Sequence, residues 1–174
     1  MKGRKKWIGF VLVLAVCGGA LSGLIRHASH PAALDPAELT PSEALESYPG
    51  TELSLELKGS KIGLIFWNNS DTAFDHDGSP SVDVGVEVLL DGIWYEVPCE
   101  NYAAAGVDRI TGPGETFRAK PILEPYGKLP DGRYRLSFGY WKYDPAWEKP
   151  LNQQPFYTSY ARFDVTEGQY ALPE

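Results

Sequence analysis

The sequence predicts an all-β fold, an antiparallel β-sandwich of about seven short strands. Three observations predict it. From Thr51 onward, apolar residues recur at every second position in run after run, the period of a half-buried strand. Asp-Gly and Gly/Pro pairs separate the runs, as turns require. No stretch beyond residue 48 carries a helical period.

The first run is "ELSLELK", where Leu53, Leu55 and Leu57 alternate with Ser54 and Glu56. In "KIGLIFWNNS", Ile62, Leu64 and Phe66 share one face and Ile65 and Trp67 the other, and the turn residues of "NNSD" end the strand. "SVDVGVEVLL" places Val82, Val84, Val86 and Val88 on one face of a single expected strand. Asp91-Gly92 then leads into "IWYEVP", a strong hairpin signal because both turn residues must tolerate positive φ. "TGPGETFRAKPIL" supplies a turn and a strand over residues 116–122. In "KLPDGRYRLSFGYW", Tyr134, Leu136, Phe138 and Tyr140 share a face. A Pro-rich loop precedes the last strand, "FYTSYARFDV", with Tyr157, Ala161, Phe163 and Val165 inward. The tail, residues 167–174, is expected to fray.

Tyr134 stands two residues after Asp131-Gly132, at the head of its strand. In immunoglobulin-like sandwiches a tyrosine at this place tucks its ring under a corner and bonds back to the backbone just upstream. The elements "GLIFWNNSD", "VEVLLDGIWYEVP", "GPGETFRA" and "YGKLPDGRYRLSF" together resemble a family of bacterial immunoglobulin-like domains. Its members are found in exported or membrane-anchored proteins, many of them Gram-positive. The likeness covers residues 54–165. It implies a seven-stranded immunoglobulin-like sandwich with Tyr134 as its tyrosine corner and without an established enzyme activity. The shared motifs are scaffold residues, so no catalytic residue carries over. The loop over residues 143–155 is long and aromatic for that family.

Ahead of the strands the chain divides sharply. Lys2, Arg4, Lys5 and Lys6 precede 19 uncharged residues, "WIGFVLVLAVCGGALSGLI". A basic segment followed by an apolar one reads as an export signal, and 19 residues suffice for a spanning helix. The basic flank places the N-terminus in the cytoplasm and the remainder outside. Three fates stay open for residues 1–25: retention as an anchor, cleavage after Ser22, or lipidation at Cys17. "LAVC" is similar to a lipobox, with Val16 where a small residue is usual. Residues 26–50, rich in Pro, Ala and Glu, read as a stalk. In it Thr40, Pro41 and Glu43 form a capping pattern for a short helix ending near Ser47. The sandwich then occupies residues 51–166.

Beyond Arg26 the chain holds 11 basic against 23 acidic residues, a balance of −12. That opposes binding to nucleic acid or an anionic lipid face. Cys99 is the one thiol of the exported part, so no disulfide forms within it, and the residue is expected as a small buried thiol. His27 and His30 fall in the stalk, and His76 is expected in an exposed acidic loop. No nucleophile motif, P-loop or dinucleotide fingerprint occurs, so no cofactor is implied.

Two constellations remain. Asp71, Asp75 and Asp77 with Asp83 are similar to part of a calcium loop, lacking its terminal Glu. The aromatic cluster near the C-terminus offers Trp141, Tyr143 and Trp147 as exposed anchors. Such rings suit a protein partner, or stack on sugars; they also pack on one another to brace a loop. The expected function is non-catalytic binding at the cell envelope, with a protein partner. A carbohydrate-binding module using the same rings is the alternative, and a hydrolase with an unrecognised carboxylate pair a third. Asn68-Asn69-Ser70 matches a glycosylation sequon.

Overall fold

The computed structural model describes residues 33–100, 106–146 and 153–173. It is all-β. The strands are β1 (Thr40–Pro41), β2 (Thr51–Lys58), β3 (Lys61–Asn68), β4 (Phe74–Asp77), β5 (Ser81–Val82) and β6 (Gly85–Leu90). They continue with β7 (Ile93–Glu96), β8 (Asp108–Thr111), β9 (Thr116–Pro121), β10 (Gly132–Lys142), β11 (Phe156–Thr166) and β12 (Gln169–Ala171). Single 3₁₀ turns cover Pro36–Glu38 and Glu124–Tyr126.

The strands form two sheets. The first runs β1-β7-β6-β10-β11-β12, with β4 also paired to β10 and β8 to β4; the second runs β2-β3-β9-β5. All pairings are antiparallel except β5 with β9. One core joins the inner faces. Leu64 and Phe66 from the second sheet meet Tyr134, Leu136, Phe138, Tyr140 and Phe163 from the first, all essentially sealed from solvent. The arrangement is compatible with a β-sandwich. The alternation of "RYRLSFGYW" produces it directly, because every second side chain of β10 points inward.

Several expectations need correction. The apolar run 82–88 is not one strand. Val82 ends β5 in the second sheet, and Asp83 and Val84 carry the chain across to β6 in the first. All four valines are nonetheless buried, since alternation continues through the crossing. Asp91 (φ 51) and Gly92 (φ 84) make the β6–β7 hairpin with both residues at positive φ. Gly132, by contrast, lacks positive φ and simply begins β10. The tail does not fray throughout. Glu167 (φ 51) and Gly168 (φ 73) turn the chain into β12, which pairs with β11, and Tyr170 packs on the core.

No helix forms over residues 40–47. Asp35 caps a 3₁₀ turn instead, with Pro36 in its first position, and Thr40–Pro41 pairs with the β7 edge. Residues 33–50 lie on the sandwich rather than apart from it: Leu34, Leu39 and Tyr48 pack against the core. Among the described residues no helix is long and apolar enough to cross a membrane. The apolar run of residues 7–25 and Cys17 lie outside the described residues.

His76 is not in an exposed loop. It lies on β4, buried, with Phe66, Phe117 and Phe138 around its ring. Its Nδ1–H donates to the Asp77 carbonyl at 2.8 Å, which leaves Nε2 to accept from the Thr111 hydroxyl at 2.7 Å. Thr111 in turn presents its carbonyl to the Asn68 amide, whose nitrogen also donates to the Thr72 carbonyl. The Asn68 Oδ1 accepts from the Ser70 backbone and hydroxyl. Asn68 has no exposed surface, so this fully partnered network is what makes its burial tolerable.

Candidate binding groove on the outer face of the first sheet

Outward positions of β6, β10 and β11 build a groove of about 600 Å³. Its floor is low because small residues face each other across the ladder. Gly85 stands opposite Ser137, and Gly139 opposite Thr158. A Cβ at Gly139 would drive into the Phe156 ring, which lies across that glycine. Trp141 leans on Phe156 with ring centroids 4.9 Å apart, and Tyr160 completes the aromatic wall. Phe156 is 43% exposed.

One rim is the segment that precedes β2. It crosses the outer face from the β7 edge to the β11 edge, held by backbone and hydroxyl bonds. Ser42 N–H donates to the Trp94 carbonyl at 2.9 Å, Leu45 N–H to the Tyr160 hydroxyl at 3.0 Å, and Thr158 N–H to the Glu46 carbonyl at 3.2 Å. Tyr48 then turns into the core edge, its ring against Phe74 and Tyr157. The opposite rim carries Cys99 and Tyr126. Tyr126 donates to the Val84 carbonyl at 2.6 Å, and burial pushes its phenol well above the usual range. Cys99 is exposed, a correction to the buried thiol expected; it follows Pro98, beyond the end of β7, where the chain has left the sheet.

Charge is the second property of the groove. Among the described residues Glu43, Asp77, Asp83, Glu87, Glu96 and Glu100 line it, and no Lys, Arg or His does. Glu87 is compensated from the side. The Arg135 Nε donates to Glu87 Oε2 at 2.6 Å, and Nη2 approaches the same oxygen at 2.5 Å as an ion pair without hydrogen-bond alignment. The guanidinium lies between the Trp94 and Tyr160 rings, 4.5 and 4.0 Å from their centroids. Both charged side chains are nearly closed to solvent. Asp77 is also engaged, accepting from Ser79 N–H, Ser79 Oγ and Val107 N–H. Partial burial pushes its pKa up, but these hydrogen bonds outweigh that and hold it low.

Trp141 lines the groove; Tyr143 does not. Tyr143 follows β10 as a part-exposed ring, its N–H bonded to the Ala73 carbonyl. Trp147 lies outside the described residues. Thus the structure joins Trp141 to Phe156 and Tyr160 rather than to Tyr143. The acids and the two glycines escaped the sequence reading because they sit on separate strands, and only register brings them together. The signal available was the outward series Arg135, Ser137, Gly139, Trp141, small in its middle and aromatic at its end. Of the calcium candidates, Asp71 is exposed and accepts from the Thr72 hydroxyl. Asp75 sits on β4, its pKa raised by burial and then by Asp108. Among the described residues no three His, Cys, Asp or Glu side chains are grouped to hold a metal ion.

Tyr134 is buried, and its hydroxyl donates to the Pro130 carbonyl four residues upstream at 2.8 Å. Comparison with family models, curated proteins and solved structures finds no match for this chain.

Proposed function

We propose that this chain is a non-catalytic binding module of the bacterial cell envelope. In this reading residues 1–25 direct export, and an immunoglobulin-like sandwich outside the membrane holds a protein partner in the groove of the first sheet. The groove is the single observation that carries it: an aromatic wall over a floor of small residues, open to solvent. Its volume falls in the range of ordinary ligand sites. The immunoglobulin-like part draws support from strand order. β2-β3-β9 and β7-β6-β10-β11 follow the chain order A-B-E and C′-C-F-G of such domains. The Tyr134 bond to Pro130 adds to it.

A photo-crosslinking residue at Phe156, inside the groove, tests the reading in the native cell. Leu57, on the second sheet and also exposed, is the control position. The reading expects a discrete protein adduct from 156 and none from 57. Equal labelling from both, or none from 156, overturns it. The glycan alternative rests on the same exposed rings beside carboxylates. Quenching of tryptophan fluorescence by peptidoglycan fragments, with no protein adduct, would establish it instead.

A further inference from the structure

We infer that the groove accepts an extended polypeptide segment in which lysine or arginine alternates with apolar residues. This deepens the reading above and rests on it. Among the described residues six carboxylates line the groove without one basic side chain. Among the described residues Glu43, Glu96 and Glu100 make no salt bridge. Glu96 stands directly across the β6–β7 ladder from Glu87. Like charges in that relation repel, and Arg135 answers only Glu87. Among the described residues Glu96 has no cation of its own, and an external one would supply it.

The aromatic wall specifies the rest of the occupant. Trp141, Phe156 and Tyr160 offer ring faces and edges to apolar side chains and to cations alike. Tyr160 already receives Arg135 on its ring at 4.0 Å. At Gly85 and Gly139 the space of a missing side chain is taken by the Ser137 hydroxyl and the Phe156 ring, so these groups rest low on the sheet as the floor a bound chain would meet. A chain presenting cationic and apolar groups in alternation meets both linings at once, whereas a free polyamine uses the acids alone and a neutral sugar the rings alone. The chain's net charge of −7 favours the approach of such a segment from solution.

The test titrates the full chain with a capped octapeptide alternating lysine and leucine, read by tryptophan fluorescence. A serine–leucine octapeptide, spermine and peptidoglycan fragments are titrated in parallel. The proposal expects the lysine peptide alone to bind tightly, with affinity falling steeply as salt is raised. Glu96→Gln with Glu100→Gln should weaken it by about tenfold, a 1.4 kcal/mol change. Gly139→Val should abolish it, with melting temperatures confirming that each variant folds. Equal binding of the serine peptide overturns the charge inference and leaves the groove reading standing. Equal binding of spermine overturns the polypeptide assignment. Binding of glycan alone replaces a protein occupant by a sugar. Binding of the lysine peptide undiminished by Gly139→Val, or of no probe at all while crosslinking from position 156 is also silent, removes the groove reading itself.

Discussion

The imidazole of His76 accepts a hydrogen bond from the Thr111 hydroxyl at 2.7 Å, with both residues closed to solvent. Burial holds the His76 pKa below its ordinary value of 6.5, and the Arg109 cation lowers it further; the Asp77 backbone bond and carboxylate oppose this without reversing it. The unfolded chain therefore takes up this proton first as pH falls. The neutral ring contributes its full stability above about pH 6.5 and loses it as pH drops toward the folded value, at up to about 1.4 kcal/mol per pH unit. Urea denaturation between pH 7.5 and pH 5 should show this loss. The slope should be shallower in His76→Gln, and identical slopes in the two proteins would refute the assignment.

Arg135 and Glu87 form a buried pair, and breaking one side leaves the other uncompensated. Arg135→Leu alone should destabilise the protein by about 3–5 kcal/mol. It also removes the guanidinium from between Trp94 and Tyr160. Arg135→Leu combined with Glu87→Leu should recover most of that loss, because no charge is then stranded. A double variant no more stable than the single would contradict this account.

Tyr134→Phe removes the bond to the Pro130 carbonyl while keeping the ring in the core. A loss of about 1 kcal/mol is expected, measured by thermal or denaturant unfolding. Burial, with the Asp131 carboxylate adding, pushes the Tyr134 phenol up to about 12. The stabilisation linked to this group is thus intact below pH 10 and is lost as pH rises from there through the folded value. In the phenolate absorbance titration one tyrosine fewer should remain protonated near pH 11 in the variant than in the parent.

Cys99 is exposed at the groove rim and should react with a maleimide in the folded protein at the rate of a free thiol. Peptide mapping by mass spectrometry would locate the adduct. Reaction only after denaturant is added would return the residue to the interior.

The inward faces were readable from alternation alone. Tyr134, Leu136, Phe138 and Tyr140 line the core as their spacing predicts. The same alternation concealed the break at Asp83, because a chain that crosses between sheets keeps its apolar side inward throughout. Phe74-Asp75-His76-Asp77 has a strand's period, but its acids disguised it as a loop; burial of a histidine depends on Asp77 and Thr111, and Thr111 is distant in sequence. The Thr40 capping pattern lost to strand pairing, since Thr40–Pro41 finds the β7 edge and Ser42 the Trp94 carbonyl. The groove was invisible for a different reason. Its residues come from at least three strands and a preceding segment, and no local pattern encodes which outward positions will be neighbours.

Asn68 gives both amide hydrogens to carbonyls and has no exposed surface, although it heads a sequon. Sugar attachment there is compatible only with a chain that has not yet closed. A eukaryotic secretory host that decorates nascent chains would lock this one open, and yield would fall as occupancy rises. The glycan would then mark the molecules that failed to mature, and Ser70→Ala, by erasing the sequon, would let secretion proceed at the cost of the Ser70 hydroxyl's contacts with Asn68 Oδ1 and with the Thr72 carbonyl and N–H.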